Sequence, residues 1–236
     1  MQILYRISNN SYNKERLPYA SKEYCLSNFI DTVVTKEDQM LIIADGVNND
    51  LLEAISSYVC DNIKIVEKNL GSNGASFRFQ LEYAASLSEN EIVLLQEDDY
   101  LYKNAGWPLN LDTCYSELID EALSQADYVS FYDHPDKYIA PALGGNKFIS
   151  PKGIENTGIF CTRHSHWKFT NSTTCTFACR VRTIREDIDT WKQFCPADHP
   201  YDFQAFVALG LKGRTLATSI PGKSTHTDLA HISPFF

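Results

Sequence analysis

Short apolar runs alternate with amphipathic stretches along the N-terminal part of the chain. The runs with the length and composition of buried strands lie at 2–7, 40–44, 63–66 and 92–95. The stretches in which apolar residues recur at helical spacing lie near 21–34, 51–59 and 74–87. This alternation predicts an α/β fold, with a parallel sheet covered by helices and joined by right-handed crossovers.

The pattern changes after residue 102. Further helices are predicted at 111–125, 183–194 and 202–209, and further strands at 127–132, 158–162, 176–181 and 214–219. Between 133 and 172 the chain is rich in Pro, Gly, His, Asn and Thr, and long irregular stretches of this kind are usually functional or mobile. No internal repeat and no low-complexity linker interrupts the sequence, which favours one domain.

Three consecutive acids, Glu97, Asp98 and Asp99, follow the apolar run at 92–95. Open α/β sheets bind ligands beyond the carboxyl ends of their strands, so these side chains are expected to face a crevice. Carboxylate oxygens suit Mg²⁺ or Mn²⁺, with a substrate phosphate completing the coordination. The alternative is a solvated acidic turn, and the triplet alone does not decide between the two.

Charge narrows the range of partners. The 236 residues include 30 Asp plus Glu against 21 Lys plus Arg, a formal charge of -9, which opposes binding to nucleic acid or anionic lipid. The sequence has neither an apolar stretch of about 20 residues, as a membrane helix needs, nor a signal-peptide pattern. We therefore expect a cytoplasmic protein without a transmembrane segment. The seven scattered cysteines fit reduced thiols.

The order of these motifs resembles the GT-A type glycosyltransferases. The chain presents a strand, Asp45, a helix, a strand, the loop Asn69-Leu70-Gly71, a helix, a strand and the Glu-Asp-Asp triplet. In the second half, Tyr201-Asp202 opens a helix and Ser224-Thr225-His226 follows the last strand. The strings at 130–138 and 166–178 look like a bacterial and phage subgroup of these enzymes, similar to family 2.

The resemblance implies a single GT-A domain over 1–236. It implies a Rossmann-like, mostly parallel central sheet flanked by helices, with a smaller acceptor-side sheet and long loops. Residues 1–102 would form the nucleotide-sugar-binding half, and 103–236 the acceptor-binding half and C-terminal tail.

It also implies roles for individual residues. Asp45 would accept a hydrogen bond from the donor's base, and Glu97 would bind the ribose. Asp99 would bind the metal ion together with His226, although His231 competes for that second position. The remaining predicted donor contacts are Arg6, Ser8, Asn69, Gly71, Asn73, Arg78 and Asp98.

Asp202 matches the carboxylate that acts as general base in inverting members. An acceptor hydroxyl does not ionise near neutral pH, so a carboxylate that takes its proton during bond formation assists the displacement. The family's usual Glu-Asp pair is here Tyr201-Asp202, a departure that weakens the match. Glu186 and Asp187 form a rival pair within a predicted helix, where a solvated face is the alternative explanation. A further candidate is His166-Trp167, as a platform for a sugar ring.

The expected activity is transfer of a sugar from a UDP- or GDP-sugar to a glycan or other hydroxyl acceptor, with inversion and with Mn²⁺ or Mg²⁺. One alternative is a nucleotidyltransferase acting on a sugar phosphate; such enzymes usually have a Gly-rich loop after the first strand, and the segment at 8–16 contains no glycine. The other alternative is a non-catalytic nucleotide- or glycan-binding module.

Overall fold

Strands and helices alternate in the computed structural model of the protein, which describes residues 1–9, 14–196 and 198–236. The strands are β1 (Gln2–Ile7), β2 (Gln39–Asp45), β3 (Ile63–Lys68), β4 (Ile92–Glu97), β5 (Tyr100–Tyr102), β6 (Tyr128–Ser130), β7 (Ile159–Cys161), β8 (His166–Thr170), β9 (Phe177–Arg180), β10 (Leu216–Ile220) and β11 (Ser224–His226). The helices are α1 (Lys22–Val33), α2 (Asn49–Ser56), α3 (Asn73–Ser86), α4 (Tyr115–Ala122), α5 (Val181–Gln193) and α6 (Asp202–Leu211). Short 3₁₀ turns lie at Pro135–Tyr138, Pro141–Leu143 and Leu229–His231.

A nine-stranded sheet, ordered β3-β2-β1-β4-β9-β6-β10-β8-β7, runs through both halves of the chain. Its first four strands are parallel to one another, and β6 is parallel to β10. Strand β9 runs antiparallel to both β4 and β6, and β8 runs antiparallel to both β10 and β7. Strands β5 and β11 form a separate antiparallel pair. The predicted α/β fold with helices flanking a large sheet is confirmed.

Alternating side chains of the central strands fill two apolar clusters, one on each face of the sheet. In β1, Ile3 and Tyr5 belong to one cluster and Leu4 belongs to the other, as the twofold repeat of a strand requires. Phe29 of α1 packs in the first cluster, while Phe77 of α3 packs in the second. The helices therefore cover both faces, and a parallel sheet needs that cover.

The long irregular segment at 131–158 is attached to the sheet by a buried lysine. Lys168 of β8 is only 4% exposed, and its Nζ lies 2.9 Å from Asp133 Oδ1 and 2.7 Å from Glu155 Oε2. It also donates to the hydroxyl of Tyr138 at 3.0 Å. These contacts neutralise the buried ammonium group and fix three points of the segment against one strand.

Two local expectations from the sequence are wrong. Strand β8 was not predicted, because it lies in the stretch at 133–172 whose Pro, Gly, His, Asn and Thr content is typical of irregular structure. Trp167, in the same strand, is fully buried, so it does not provide an exposed platform for a sugar. Within the residues that the structure describes, no helix is long and apolar enough to cross a membrane.

Candidate functional site

A cavity of about 360 Å³ opens beyond the carboxyl ends of β1, β2 and β4; we call it the sheet-edge cavity. Arg6 of β1 pairs in register with Glu97 of β4, and Asp45 is the last residue of β2, so the parallel strands deliver these side chains to one edge. Nine of the twelve predicted site residues line it: Arg6, Ser8, Asp45, Asn69, Gly71, Asn73, Glu97, Asp98 and Asp99.

Arg6 connects three elements at the base of this cavity. Its guanidinium forms an ion pair with Glu97 and donates to both the side chain and the backbone carbonyl of Asn73, the latter at 3.2 Å. It also lies over the Phe77 ring, 5.4 Å from the centroid. Burial raises the pKa of Glu97, and the nearby Arg6 acts in the opposite direction. Arg6 therefore holds β1, β4 and α3 together and keeps a buried carboxyl paired.

Asp45 orders the loop on the opposite side of the cavity. Its Oδ1 accepts the backbone N–H of Leu70 at 2.7 Å, and its side chain is buried. Gly71 in this loop has a φ of 82°, a conformation that favours glycine. The loop leads into α3, where the Oγ of Ser72 accepts the N–H of Ala75 at 3.1 Å. The N-terminus of a 14-residue helix thus lines the cavity, and its partial positive charge suits an anion.

The acids of the triplet have different surroundings. Asp98 Oδ2 accepts the N–H of Ser8 at 2.9 Å and forms an ion pair with Lys22. Asp99 Oδ2 lies 3.3 Å from Arg16 Nη2 and 3.4 Å from His226 Nε2. The other oxygen of Asp99, Oδ1, is buried and has no hydrogen-bond partner within the described residues. Asp98 therefore holds the chain after β1, while Asp99 retains an oxygen available to a ligand.

His226 is a neutral imidazole whose proton position follows from its contacts. Burial lowers the pKa of His226 to about 4. Its Nδ1 accepts the backbone N–H of Asp228 at 3.0 Å, so the neutral ring carries its proton on Nε2, which faces Asp99. In this state Nε2 is a hydrogen-bond donor. Binding a cation through Nε2 would require loss of that proton or of the bond to Asp228.

His231 has the opposite arrangement. Its Nδ1 lies 3.0 Å from Asp228 Oδ2, and its ring centroid lies 5.8 Å from that of His226. A carboxylate at Nδ1 favours the proton there and leaves the Nε2 lone pair available, as in many metal-bound histidines. On tautomer alone, His231 is the better ligand.

A divalent cation fits this site only with a substrate's help. Within the described part of the chain, no group of three or more His, Cys, Asp or Glu side chains could hold a metal ion. Mg²⁺ usually binds through one or two carboxylates and substrate phosphates, so an all-protein cage is not needed. The unpartnered Oδ1 of Asp99 fits such a shared site.

Three predicted residues lie outside the lining of the sheet-edge cavity: Arg78, Asp202 and His226. Arg78 donates to the carbonyl of Cys195, which joins α3 to the end of α5. Asp202 is the first residue of α6, and Tyr201 is the N-cap.

Asp202 and His226 lie on either side of Tyr100. Asp202 Oδ2 accepts the N–H of Thr173 at 3.2 Å, and the Tyr100 hydroxyl donates to the Thr173 carbonyl at 3.2 Å. The rings of Tyr100 and His226 are 5.1 Å apart. Asp202 therefore lies near the triplet, although it does not line the cavity.

The rival acids on α5 are engaged elsewhere. Asp187 is buried, where it accepts from the hydroxyl of Tyr128 and from Arg214 Nε, each at 2.8 Å. Arg214 also pairs with Glu186. These contacts hold α5 against β6 and β10, so the expected solvated face is wrong for Asp187.

Four charged residues that line the cavity were missed at the sequence level: Lys14, Arg16, Lys22 and Asp198. Three of them lie in or just after the glycine-free segment at 8–16. Its basic end, Lys14 and Arg16, was the available signal.

Comparison with known proteins places the fold. A scan against known protein families gives no match, and neither does a search of curated proteins. Among solved structures, the chain is similar to GalNAc-T7 with UDP, GalNAc and Mn²⁺, at a TM-score of 0.61 and 10% identity, over 95% of this chain and 43% of that one. It is also similar to galactosyltransferase LgtC in complex with donor and acceptor sugar analogues. The TM-score is 0.52 and the identity 11%, over 92% of this chain and 73% of that one.

A third solved structure, 4-diphosphocytidyl-2C-methyl-D-erythritol synthase, gives a TM-score of 0.50 and 10% identity over 100% of this chain and 93% of that one. At such identities a likeness shows the fold alone. The fold predicted from the sequence is thereby confirmed: the chain has a GT-A fold, a mixed α/β architecture with a large central sheet flanked by helices.

Proposed function

We propose that the protein is a glycosyltransferase that moves a sugar from a nucleoside-diphosphate sugar to an acceptor hydroxyl with the aid of a divalent cation. The observation that carries this proposal is the convergence of Asp45, Glu97 and Asp99 on one cavity beside the N-terminus of α3. Carboxylates for a base and a ribose, an anion site and a cation ligand are together what such a donor needs.

In this proposal the donor lies along the edge of the sheet. Asp45 and Glu97 bind the nucleoside, while Asn73, Gly71 and the amides that open α3 face the diphosphate. Ser8 and Asn69 line the same cavity, and Asp98 positions the chain after β1 through Ser8. UDP- and GDP-sugars are both compatible with these contacts.

The cation, Mn²⁺ or Mg²⁺, would be held by Asp99 and by the donor's phosphates. When bound, it stabilises the charge that develops on the departing diphosphate. His226 is the predicted second ligand. Its Nε2 carries a proton, whereas the Nε2 of His231 has a free lone pair, so His231 competes with His226 for the cation.

Asp202 is the proposed general base. Its carboxylate accepts the Thr173 N–H, and it is close enough to Glu97 that its charge raises the pKa of that carboxyl. A carboxylate there can take the proton of an attacking hydroxyl, which corresponds to transfer with inversion.

A nucleotidyltransferase is the second candidate. The likeness to 4-diphosphocytidyl-2C-methyl-D-erythritol synthase covers the whole chain, and Arg16 and Lys22 follow β1 at the cavity. The two functions differ in product: one releases a nucleoside diphosphate from a nucleotide sugar, and the other releases pyrophosphate from a nucleoside triphosphate and a sugar phosphate.

The test is a screen of nucleotide sugars with Mn²⁺ for binding and slow hydrolysis, on wild-type protein and Asp99→Ala. We expect hydrolysis of at least one donor by the wild type and its loss in the variant. A parallel arm supplies nucleoside triphosphates with sugar 1-phosphates. Pyrophosphate release in that arm alone would replace the proposal with the second candidate, and donor binding without hydrolysis in any arm would indicate a binding module.

A further inference from the structure

Three basic side chains of the chain between β1 and the start of α1 line the sheet-edge cavity. Lys14, Arg16 and Lys22 line the cavity together, and we call them the basic clamp. Each holds an acid: Lys14 pairs with Asp228 at 3.3 Å, Arg16 with Asp99 at 3.3 Å, and Lys22 with Asp98. All three acids are mostly buried, so these charges are held at the site rather than spread over the surface.

The basic clamp offsets most of the negative charge of the cavity lining. Among the residues that the structure describes, the cavity is lined by five carboxylates, Asp45, Glu97, Asp98, Asp99 and Asp198, and by four cations, of which three are the basic clamp and the fourth is Arg6. Without the clamp, only Arg6 would oppose the acids, and Arg6 is already paired with Glu97. The remaining acids would repel a diphosphate, in a protein whose net charge is already -9.

Arg16 occupies the position at which a cation is needed. Its Nη2 lies against Asp99 Oδ2, on the same carboxylate whose Oδ1 is buried without a partner in the described chain. A divalent cation at Asp99 and the guanidinium of Arg16 would place like charges at one carboxylate, and they would repel each other. Arg16 must therefore find another anion when the metal binds, and its planar donors match phosphate oxygens well.

We propose that the basic clamp binds the diphosphate of the donor, and that Arg16 holds the place of the metal at Asp99 until metal and diphosphate arrive together. The inference rests on the proposed function, since it assigns residues to the same site. It adds two properties: the diphosphate binds weakly without metal through Lys14, Arg16 and Lys22, and the metal binds weakly without diphosphate because Arg16 competes for Asp99.

The experiment measures two binding reactions separately on Arg16→Gln. Mn²⁺ alone is titrated by electron paramagnetic resonance, and inorganic pyrophosphate is titrated by calorimetry in EDTA. We expect Arg16→Gln to bind Mn²⁺ several-fold more tightly and pyrophosphate about tenfold more weakly than the wild type, because a competitor is removed in one case and a charge-assisted contact in the other. Lys22→Gln should weaken pyrophosphate without strengthening Mn²⁺, since Lys22 pairs with Asp98.

Arg163→Gln provides the matched control, because Arg163 is exposed and lies outside the cavity lining. It should change neither affinity. Circular dichroism checks that each variant is folded. If Arg16→Gln is not folded, Arg16→Lys, which retains the charge, replaces it in both titrations. Arg16→Lys should retain part of the pyrophosphate affinity.

The outcomes separate this inference from the proposed function. If the wild type binds Mn²⁺ and pyrophosphate and Arg16→Gln changes neither, the clamp is overturned while the proposed function stands. A loss of Mn²⁺ affinity in Arg16→Gln overturns it equally. If the wild type binds neither probe and hydrolyses no nucleotide sugar, the proposed function itself fails.

Discussion

Single side chains at the cavity divide into those that hold the fold and those that remain available for chemistry. Arg6 and Asp45 are buried and bonded to backbone or partner side chains, so substituting them would disturb the elements they join. Asp99 retains an unpartnered oxygen, and Asp202 accepts one backbone N–H at 3.2 Å. Substitutions that preserve shape at these last two positions should therefore report on function.

Replacing Asp202 with Asn tests the base. The amide oxygen can still accept the Thr173 N–H, so the fold should be retained, but the side chain can no longer take a proton. We expect turnover to fall by about 10²–10⁴-fold with donor affinity unchanged, measured by steady-state kinetics and calorimetry. Glu186→Gln is the control, since Glu186 lies on α5 and pairs with Arg214 outside the cavity. Unchanged turnover in Asp202→Asn would move the base to another residue.

The two C-terminal histidines predict opposite responses to substitution. If His226 is the second metal ligand, His226→Ala should weaken Mn²⁺ binding in the presence of a nucleoside diphosphate by about 10-fold or more, with His231→Ala near wild type. The tautomers inferred for the two rings favour the reverse. Titration of both variants with Mn²⁺ distinguishes the two cases. A loss of Mn²⁺ affinity in His231→Ala alone would show that His231, and not His226, is the second ligand.

Buried Lys223 predicts a pH dependence of stability away from the cavity. Burial lowers the pKa of Lys223 from 10.5 to about 8, and its Nζ donates to the Trp107 carbonyl. Below pH 8 both folded and unfolded chains carry the charge, so its burial cost is fully present. Between about 8 and 10.5 the folded chain releases the proton first, and stability rises with pH.

Lys223→Met should therefore raise the free energy of unfolding at pH 7 by about 1–3 kcal/mol, an advantage that shrinks as the pH passes 8. Urea unfolding at pH 7 and pH 9.5 measures it. Exposed Lys36→Met should have little effect at either pH. A variant less stable than the wild type at pH 7 would show that the Trp107 contact outweighs the burial cost.

At the scale of elements, the strands and helices from β1 to β4 were predictable from the sequence, whereas two of the three-residue strands were not. The starts of α1 and α3 follow from apolar periodicity and from Ser21 and Ser72, whose hydroxyls accept the N–H groups of Tyr24 and Ala75. Strands β5 and β11 were not predicted, although β6 and β7 are equally short, because only the latter two lie within longer runs typical of strands, at 127–132 and 158–162. Helix α4 is shorter than predicted because Glu117 accepts the N–H of Cys114 and begins the helix there.

Two glycines should respond in opposite ways to replacement by alanine: Gly71, in the turn between β3 and α3, and Gly210, in α6. Gly71 has a φ of 82° and an added Cβ would meet no atom within 4 Å, so Gly71→Ala costs only backbone strain, about 1–2 kcal/mol. Gly210 in α6 also has open space around it, and Gly210→Ala should stabilise by about 0.5–1 kcal/mol. Denaturant unfolding of both variants measures this. Equal effects at the two positions would contradict the argument.

At the scale of the whole molecule, the sheet edge was predictable because topology alone determines it. Residues that end neighbouring parallel strands meet, whatever follows in the chain, and Asp45 and Glu97 illustrate this. The basic clamp could not be inferred in the same way, since Lys22 meets Asp98 only after the tertiary fold forms. The sequence predicts an irregular stretch at 133–172, but not how it attaches to the sheet, because that depends on the buried Lys168.

The position of β9 affects the order in which the protein can fold. This strand forms late in the chain, yet it pairs with β4 through Leu95–Phe177 and Leu94–Ala178 and with β6 on its other side. Until residue 180 has left the ribosome, β4 therefore presents an apolar open edge to other chains. Pairings between such distant residues also slow folding. We therefore expect this topology to increase the need for chaperones during synthesis more than it changes the stability of the folded protein.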